Sequence, residues 1–137
     1  GSLDEYFNYE FGELPYRTVY FEEIRDKDIQ GNAVINYNDM SVGYTRIHEH
    51  KWFTPEKKFE NSIGFKEYSK FTTSKNDPYY PIKNDSNTSL FNKYNMMAKE
   101  ESNVTFVGRL AQYQYYDMHQ VIASSMSKFK DSIGRRY

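Results

Sequence analysis

The chain has no cysteine, which excludes disulfide bridges and thiolate metal sites. No apolar run approaches the roughly 18 residues that crossing a bilayer requires, so no membrane span is expected. No secretory signal is visible either, and Gly1-Ser2 reads as a cloning scar, so a cytoplasmic protein is the expectation. Neither sign of charge dominates: 18 basic residues face 19 acidic ones, for a net charge of −1. That balance sets up no field that would draw nucleic acid or a membrane surface. Also missing are Gly-x-Gly-x-x-Gly, a P-loop, Gly-x-Ser-x-Gly and any paired-carboxylate motif, so the 137 residues hold no complete catalytic apparatus of their own.

What the chain has in excess is aromatic: 14 Tyr and 10 Phe. Tyrosine couples an apolar body to a polar tip, which suits wet clefts, sugars and interfaces as well as a core. The length bounds the molecule to one domain, or to a fragment of something larger.

Along the chain, Leu3 to Leu14 is acidic and aromatic, the tail of a preceding helix or a docking segment. Arg17–Glu22, Gly31–Tyr37 and Tyr44–His50 read as three consecutive antiparallel strands, because their short connections leave no room for crossover helices. Ser62–Tyr68 is a fourth strand, followed by a polar, mobile loop over Thr72–Asp77. Pro78 and Pro81 force the tyrosines between them into an extended segment. Asp85–Glu101 has helical spacing at Leu90, Tyr94, Met97 and Ala98, with Asp85 or Asn87 as N-cap. Val104–Val107 reads as a buried strand. Met118–Phe129 reads as an amphipathic helix with Met118, Val121, Ile122, Ser125, Met126 and Phe129 on one face, opened by Asp117 and Gln120 as a capping-box variant. The tail from Asp131 to Tyr137 is polar and frayed. The expected fold class is α+β: an antiparallel sheet of about five or six strands plus a helix–strand–helix C-terminal unit.

Some residues carry chemistry in this pattern. Arg109, after Gly108 and before a helix N-terminus, can meet an anion with a permanent fork of donors; the plainer reading pairs it with Asp117 or another acid. Arg46 stands inside a strand, where a surface ion pair is the plain alternative. Tyr79 and Tyr80, stiffened by flanking prolines, make an aromatic platform or simply a turn packed on the sheet. Of Tyr113, Tyr115 and Tyr116, at least one ring belongs to the core. His48 and His50 share a strand face with Glu49 on the other, but no third metal ligand is in sight, so no metal is expected.

These blocks, taken in order, resemble the C-terminal part of bacterial UDP-galactopyranose mutases. The resemblance runs through Leu14–Thr18 (LPYRT), Gln30–Asn36 (QGNAVIN), Tyr44–Lys51 (YTRIHEHK), Lys66–Ser69 (KEYS), Pro78–Pro81 (PYYP), Val104–Leu110 (VTFVGRL) and Tyr115–Met118 (YYDM). It implies an isomerase that interconverts UDP-galactopyranose and UDP-galactofuranose for galactofuranose-containing cell-surface glycans. The family uses reduced FAD, so the nucleophile belongs to the cofactor and the protein supplies position and charge.

By the resemblance, Arg46 binds the UDP diphosphate, and Tyr80 and Tyr115 hydrogen-bond it. Arg109 contacts the flavin, Asp117 and Met118 lie at the active site and FAD edge, and Asn36 lines the substrate. Arg46, Tyr80, Tyr115 and Asp117 form the implied catalytic set. Ala111 stands where many members have glycine, and His119 where an acid is common. The resemblance further implies that residues 1–82 are the antiparallel sheet (substrate) domain and that 83–137 complete an FAD-binding domain. The Gly-rich dinucleotide-binding part and a helical lid would be absent, so the fragment alone is expected to be silent and to bind FAD weakly. The parent would be a homo-oligomer, and the fragment, with strand Val104–Val107 short of neighbours, would self-associate. A sugar-binding module built on the tyrosine-rich sheet and a metal site at His48 and His50 are the rival readings.

Overall fold

The computed structural model describes residues 1–134. Its elements are α1 (Leu3–Tyr6), β1 (Pro15–Asp26), β2 (Val34–Asn36), β3 (Arg46–Glu49), a 3-10 turn (His50–Phe53), β4 (Ser62–Thr73), β5 (Tyr80–Pro81), α2 (Asp85–Glu100) and α3 (Met118–Gly134). The strands form one five-stranded sheet in the order β2-β3-β4-β1-β5, with antiparallel pairing, so the fold is α+β as expected. The first three strands are not neighbours in sequence order. β1 lies between β4 and β5, while β2 pairs with β3 and β3 with β4. Short connections established the antiparallel sense, but not which strand a long loop would return to. β1 and β4 are also longer than the expected Arg17–Glu22 and Ser62–Tyr68, at 12 residues each, since charged and aromatic residues continue both strands beyond the apolar stretch.

The chain divides into two compact units: Gly1–Thr18 together with the residues from Phe71 onward, and Val19–Lys70. The first is held by a cluster of Leu3, Leu14, Tyr16, Tyr94 and Tyr113, with Leu90, Phe91, Ala98 and Phe106 packed around it. The tyrosines that anchor it keep their hydroxyls satisfied, as burial requires. Tyr94 donates to Gly12 O at 2.6 Å and accepts from Phe11 N at 2.9 Å. The Tyr113 hydroxyl lies 2.7 Å from Pro15 O and 2.9 Å from Ile82 O. Burial pushes the phenol of Tyr113 up to about 12. The Thr72–Asp77 segment is not a loose loop. Thr72 and Ser74 are buried, and Ser74 Oγ donates at 2.6 Å to Asp4 Oδ2, which also accepts from Leu14 N at 2.8 Å.

α2 starts where its cap places it: Asn84, rather than the expected Asp85 or Asn87, is the N-cap and accepts from Asn87 N at 2.8 Å. Two C-terminal expectations fail. Val104–Val107 is not a buried strand. Val104 and Val107 are exposed, only Phe106 turns in against Tyr6 and Phe7, and the segment has no backbone pairing among the described residues. A β-prone run becomes a strand only when another strand lies beside it. α3 does form and runs on through Gly134, so the fraying expected from Asp131 is not found over residues 131–134; the rest of that expectation, residues 135–137, lies outside the described residues. Its apolar face stays uncovered, with Met118 at 85% and Ile122, Met126 and Phe129 all above half exposed.

The second unit is built around Glu49. Its carboxylate is buried and accepts four hydrogen bonds: from Ser62 Oγ at 2.6 Å, Gln30 N at 2.8 Å, and Ile29 N and Gly31 N at 3.1 Å each. The loop that leads into β2 is thereby tied to β3. Gly64, opposite Glu49 in register, completes the fit, because a Cβ there would lie 2.6 Å from Ile29 Cδ1. Burial alone would raise the Glu49 carboxyl, but the four donors outweigh it and hold the group at about 2, below the ordinary 4.5. A depressed carboxylate stabilises the fold above its unfolded pKa, and that stability drains away as pH falls from about 4.5 towards 2. Glu49→Gln is expected to cost about 2–3 kcal/mol in denaturant unfolding at neutral pH and to flatten the acid limb of stability, since it leaves buried donors facing a weaker acceptor. An unchanged acid limb would show that another carboxylate governs it.

Candidate functional site

In the first unit, three of the residues singled out in the sequence meet. β5 carries Tyr80, with Arg17 of β1 opposite it in register. Gly108, at φ +94°, turns the chain out of the extended segment in a conformation that a side chain would strain, and the turn delivers Arg109. Tyr115 follows after Tyr113, whose own φ of +49° marks a second sharp reversal. The guanidinium carbon of Arg109 lies 5.0 Å from the centroid of Tyr80 and 5.3 Å from that of Tyr115. The two rings stack 5.2 Å apart at 20°. The three groups therefore form a nearly equilateral triangle, with the cation against two π-systems.

Backbone carbonyls orient the arginine. Nε donates to Tyr116 O at 3.1 Å, Nη2 donates to the same oxygen, and Nη1 lies 3.4 Å from Tyr79 O. No carboxylate pairs with Arg109 among the described residues, so the expected plain alternative, an ion pair with Asp117, is not what holds it. The hydroxyls of Tyr80 and Tyr115 also have no protein hydrogen-bond partner among the described residues, and Tyr115 is 62% exposed. Tyr113, by contrast, is the core ring of its cluster.

One half of the capping box expected at Asp117 and Gln120 forms at the start of α3. The Asp117 backbone N–H donates to Gln120 Oε1 at 2.8 Å and its carbonyl accepts from Val121 N at 3.0 Å. Its carboxylate faces solvent, and Met118 beside it is exposed. A groove of about 850 Å³ in this unit runs along the end of α2 and residues 101–106. Tyr116 reaches it, but Arg109, Tyr80 and Tyr115 do not line it.

In the second unit, Arg46 stands in a cross-strand row. Asn36 of β2 is directly opposite it on one side and Glu67 of β4 on the other, so the three side chains share a face. The pair expected as the plain alternative for Arg46 is present: Nε lies 2.9 Å from Glu67 Oε1. Its N–H is not aimed at that oxygen, however, and makes no hydrogen bond. His48 Nε2 sits 3.2 Å from the other carboxylate oxygen of Glu67, and Thr45 Oγ1 donates to Oε1 at 3.1 Å. His50 has left the strand for the 3-10 turn and packs against Phe65, so the two histidines do not act as a pair.

Glu67 is the residue that the sequence did not single out. It is one of many acidic residues, and only knowledge of which strand faces β3 would have marked it. The site residues named from sequence thus fall into two groups: Tyr80, Arg109, Tyr115, Asp117 and Met118 in one unit, and Asn36 and Arg46 in the other.

Comparison with known proteins places the chain in a family. A family model described as UDP-galactopyranose mutase matches residues 1–115. A dTDP-fucopyranose mutase of Escherichia coli is 45% identical over 128 residues, 92% of this chain and 34% of that protein. A probable UDP-galactopyranose mutase of Klebsiella pneumoniae is 45% identical over 127 residues, 92% of this chain and 33% of its own. The UDP-galactopyranose mutase of Mycoplasma genitalium is 35% identical over 135 residues, 93% of this chain and 33% of that protein. The chain therefore spans about a third of the length of the curated relatives it matches. On the family match over most of its residues, the chain belongs to the UDP-galactopyranose mutase family.

Proposed function

We propose that this chain is the part of a flavin-dependent nucleotide-sugar mutase that supplies its diphosphate-binding arginine and one edge of its flavin site. The observation that carries the reading is the Arg109 triangle: a cation with no carboxylate partner, oriented by carbonyls, against two phenols whose hydroxyls lack protein partners. Such a cluster is preorganised for an electron-rich, anionic ligand, since its donors are in place before the ligand arrives. FAD fits this donor set. Arg109 would hold the flavin, with Asp117 and Met118 at its edge, and residues 83–137 would complete that side of the enzyme while the sheet residues 1–82 serve the substrate. When bound and reduced, the flavin supplies the nucleophile for the sugar's anomeric carbon.

The remaining tasks belong to the protein. Arg46, permanently charged, neutralises the negative charge that builds on the diphosphate as it departs. Tyr80 and Tyr115 donate hydroxyl protons to diphosphate oxygens. Asn36, on the Arg46 face, contributes an amide to the sugar. Opening of the sugar ring at its C1–O5 bond and reclosure through the C4 hydroxyl, before the diphosphate returns, would convert UDP-galactopyranose to UDP-galactofuranose.

None of these residues reads the nucleobase, and two relatives of equal identity carry different nucleotide sugars in their names. The test therefore offers both. Full-length enzyme carrying this sequence, with flavin reduced by dithionite, is incubated with UDP-galactopyranose or dTDP-fucopyranose, and products are separated by anion-exchange chromatography. Conversion of the UDP sugar is the expected result. Conversion of the dTDP sugar alone would reassign the substrate, and conversion of neither by flavin-loaded protein would overturn the reading.

A further inference from the structure

Glu67 connects Arg46 to a group that can change its charge. One carboxylate, with only 9% of its side chain exposed, serves Arg46 at one oxygen and His48 at the other. The Arg46 contact is a charge pair without a directional hydrogen bond, because the buried Nε N–H points away from Oε1. Arg46 itself keeps 36% of its side chain exposed. The guanidinium is therefore tethered but not locked, and how firmly it is tethered depends on what else draws on Glu67. We propose that His48 and Glu67 are positioning residues for Arg46, and that protonation of His48 frees the guanidinium for a nucleotide-sugar diphosphate. The inference rests on the reading of Arg46 as the diphosphate-binding arginine.

The groups around His48 are few. From β1 the ring of Phe21 meets it edge-on, from β2 Val34 stands opposite, and from β4 come Phe65 and Glu67. The titratable and charged groups next to it are Glu67 of β4, Arg46 two residues before it on β3, and His50 two residues after it in the 3-10 turn, packed on the Phe65 that stands opposite His48. When His48 is neutral, Arg46 and Glu67 cancel and the cluster carries no net charge. When His48 is protonated, it competes for the same carboxylate and the cluster becomes net positive. Both effects act in one direction. On protonation of His48 the cluster attracts a diphosphate more strongly and releases Arg46 to reach it.

The experiment is the dissociation constant of UDP-galactose, by calorimetry, on the full-length enzyme carrying this sequence, with its flavin left oxidised so that turnover does not compete. The ligand's diphosphate is esterified at both ends and keeps its charge between about pH 6 and 8, unlike a terminal phosphate. Binding is expected to tighten by about three- to tenfold from pH 8 to 6, the scale of a partly exposed charge interaction. In His48→Gln, affinity should stay near the high-pH value throughout; His48→Asn serves if the first variant fails to fold. Wild-type binding without pH dependence, or a dependence undiminished in the histidine variants, would overturn the proposal. Arg46→Ala separates the two layers. If it leaves UDP-galactose affinity intact, the reading of Arg46 fails. If it weakens binding while the histidine variants keep the pH dependence, only the positioning inference fails.

Discussion

Arg46→Ala in the full-length enzyme is expected to lower turnover of UDP-galactofuranose by about 10²- to 10³-fold, the scale of losing one preorganised group at a site of developing charge, with flavin content unchanged. The residue sits in a row with Asn36 and Glu67 on one sheet face, so its removal deletes a charge, leaves the buried Glu67 to Thr45 and His48, and removes none of the buried apolar side chains. Asn36 and Glu67, its partners in that row among the described residues, include no cation to replace it. Arg46→Lys should recover only part of the loss, because an ammonium offers a point charge where the diphosphate can use a planar fork. Steady-state rates, normalised to flavin absorbance, decide the matter. Turnover per flavin close to wild type, with flavin lost instead, would move Arg46 to the cofactor.

Arg109→Ala is expected to give the opposite pattern, with flavin affinity weakened by roughly 10- to 100-fold, as the loss of a cation–π partner and of charged hydrogen bonding would produce. The stack of Tyr80 on Tyr115 would survive, but the cation lying 5.0 and 5.3 Å from the two rings would be gone. The freed carbonyl oxygens of Tyr116 and Tyr79 can turn to water, so the fold should stand. Flavin released on dilution, followed by fluorescence, measures the effect. Full retention of flavin together with a loss of UDP-galactose binding would exchange the roles of the two arginines.

Local chemistry explains what the sequence made legible. The Gly108–Arg109 turn, the Asp117–Gln120 hydrogen bond and the extended Pro78–Pro81 segment each depend on residues a few positions apart, and each is found in place. Tyr113 as core and Tyr115 as exposed phenol could not be told apart by spacing. That division follows from the reversal at Tyr113, whose hydroxyl reaches Pro15 and Ile82. Partners distant in sequence were invisible for the same reason. Glu67 is 21 residues beyond Arg46, and Ser74 is 70 beyond Asp4. The Val104–Val107 run shows the converse limit: strand propensity is present, and among the described residues no strand pairs with it.

A crystal structure of the full-length enzyme with UDP-galactose bound tests the central assignment most directly. The account predicts a diphosphate oxygen about 3 Å from the Arg46 guanidinium, the range of charge-assisted hydrogen bonds, with the side chain drawn from its 2.9 Å contact on Glu67. A diphosphate held wholly by other residues, with Arg46 still closed on Glu67, would contradict it.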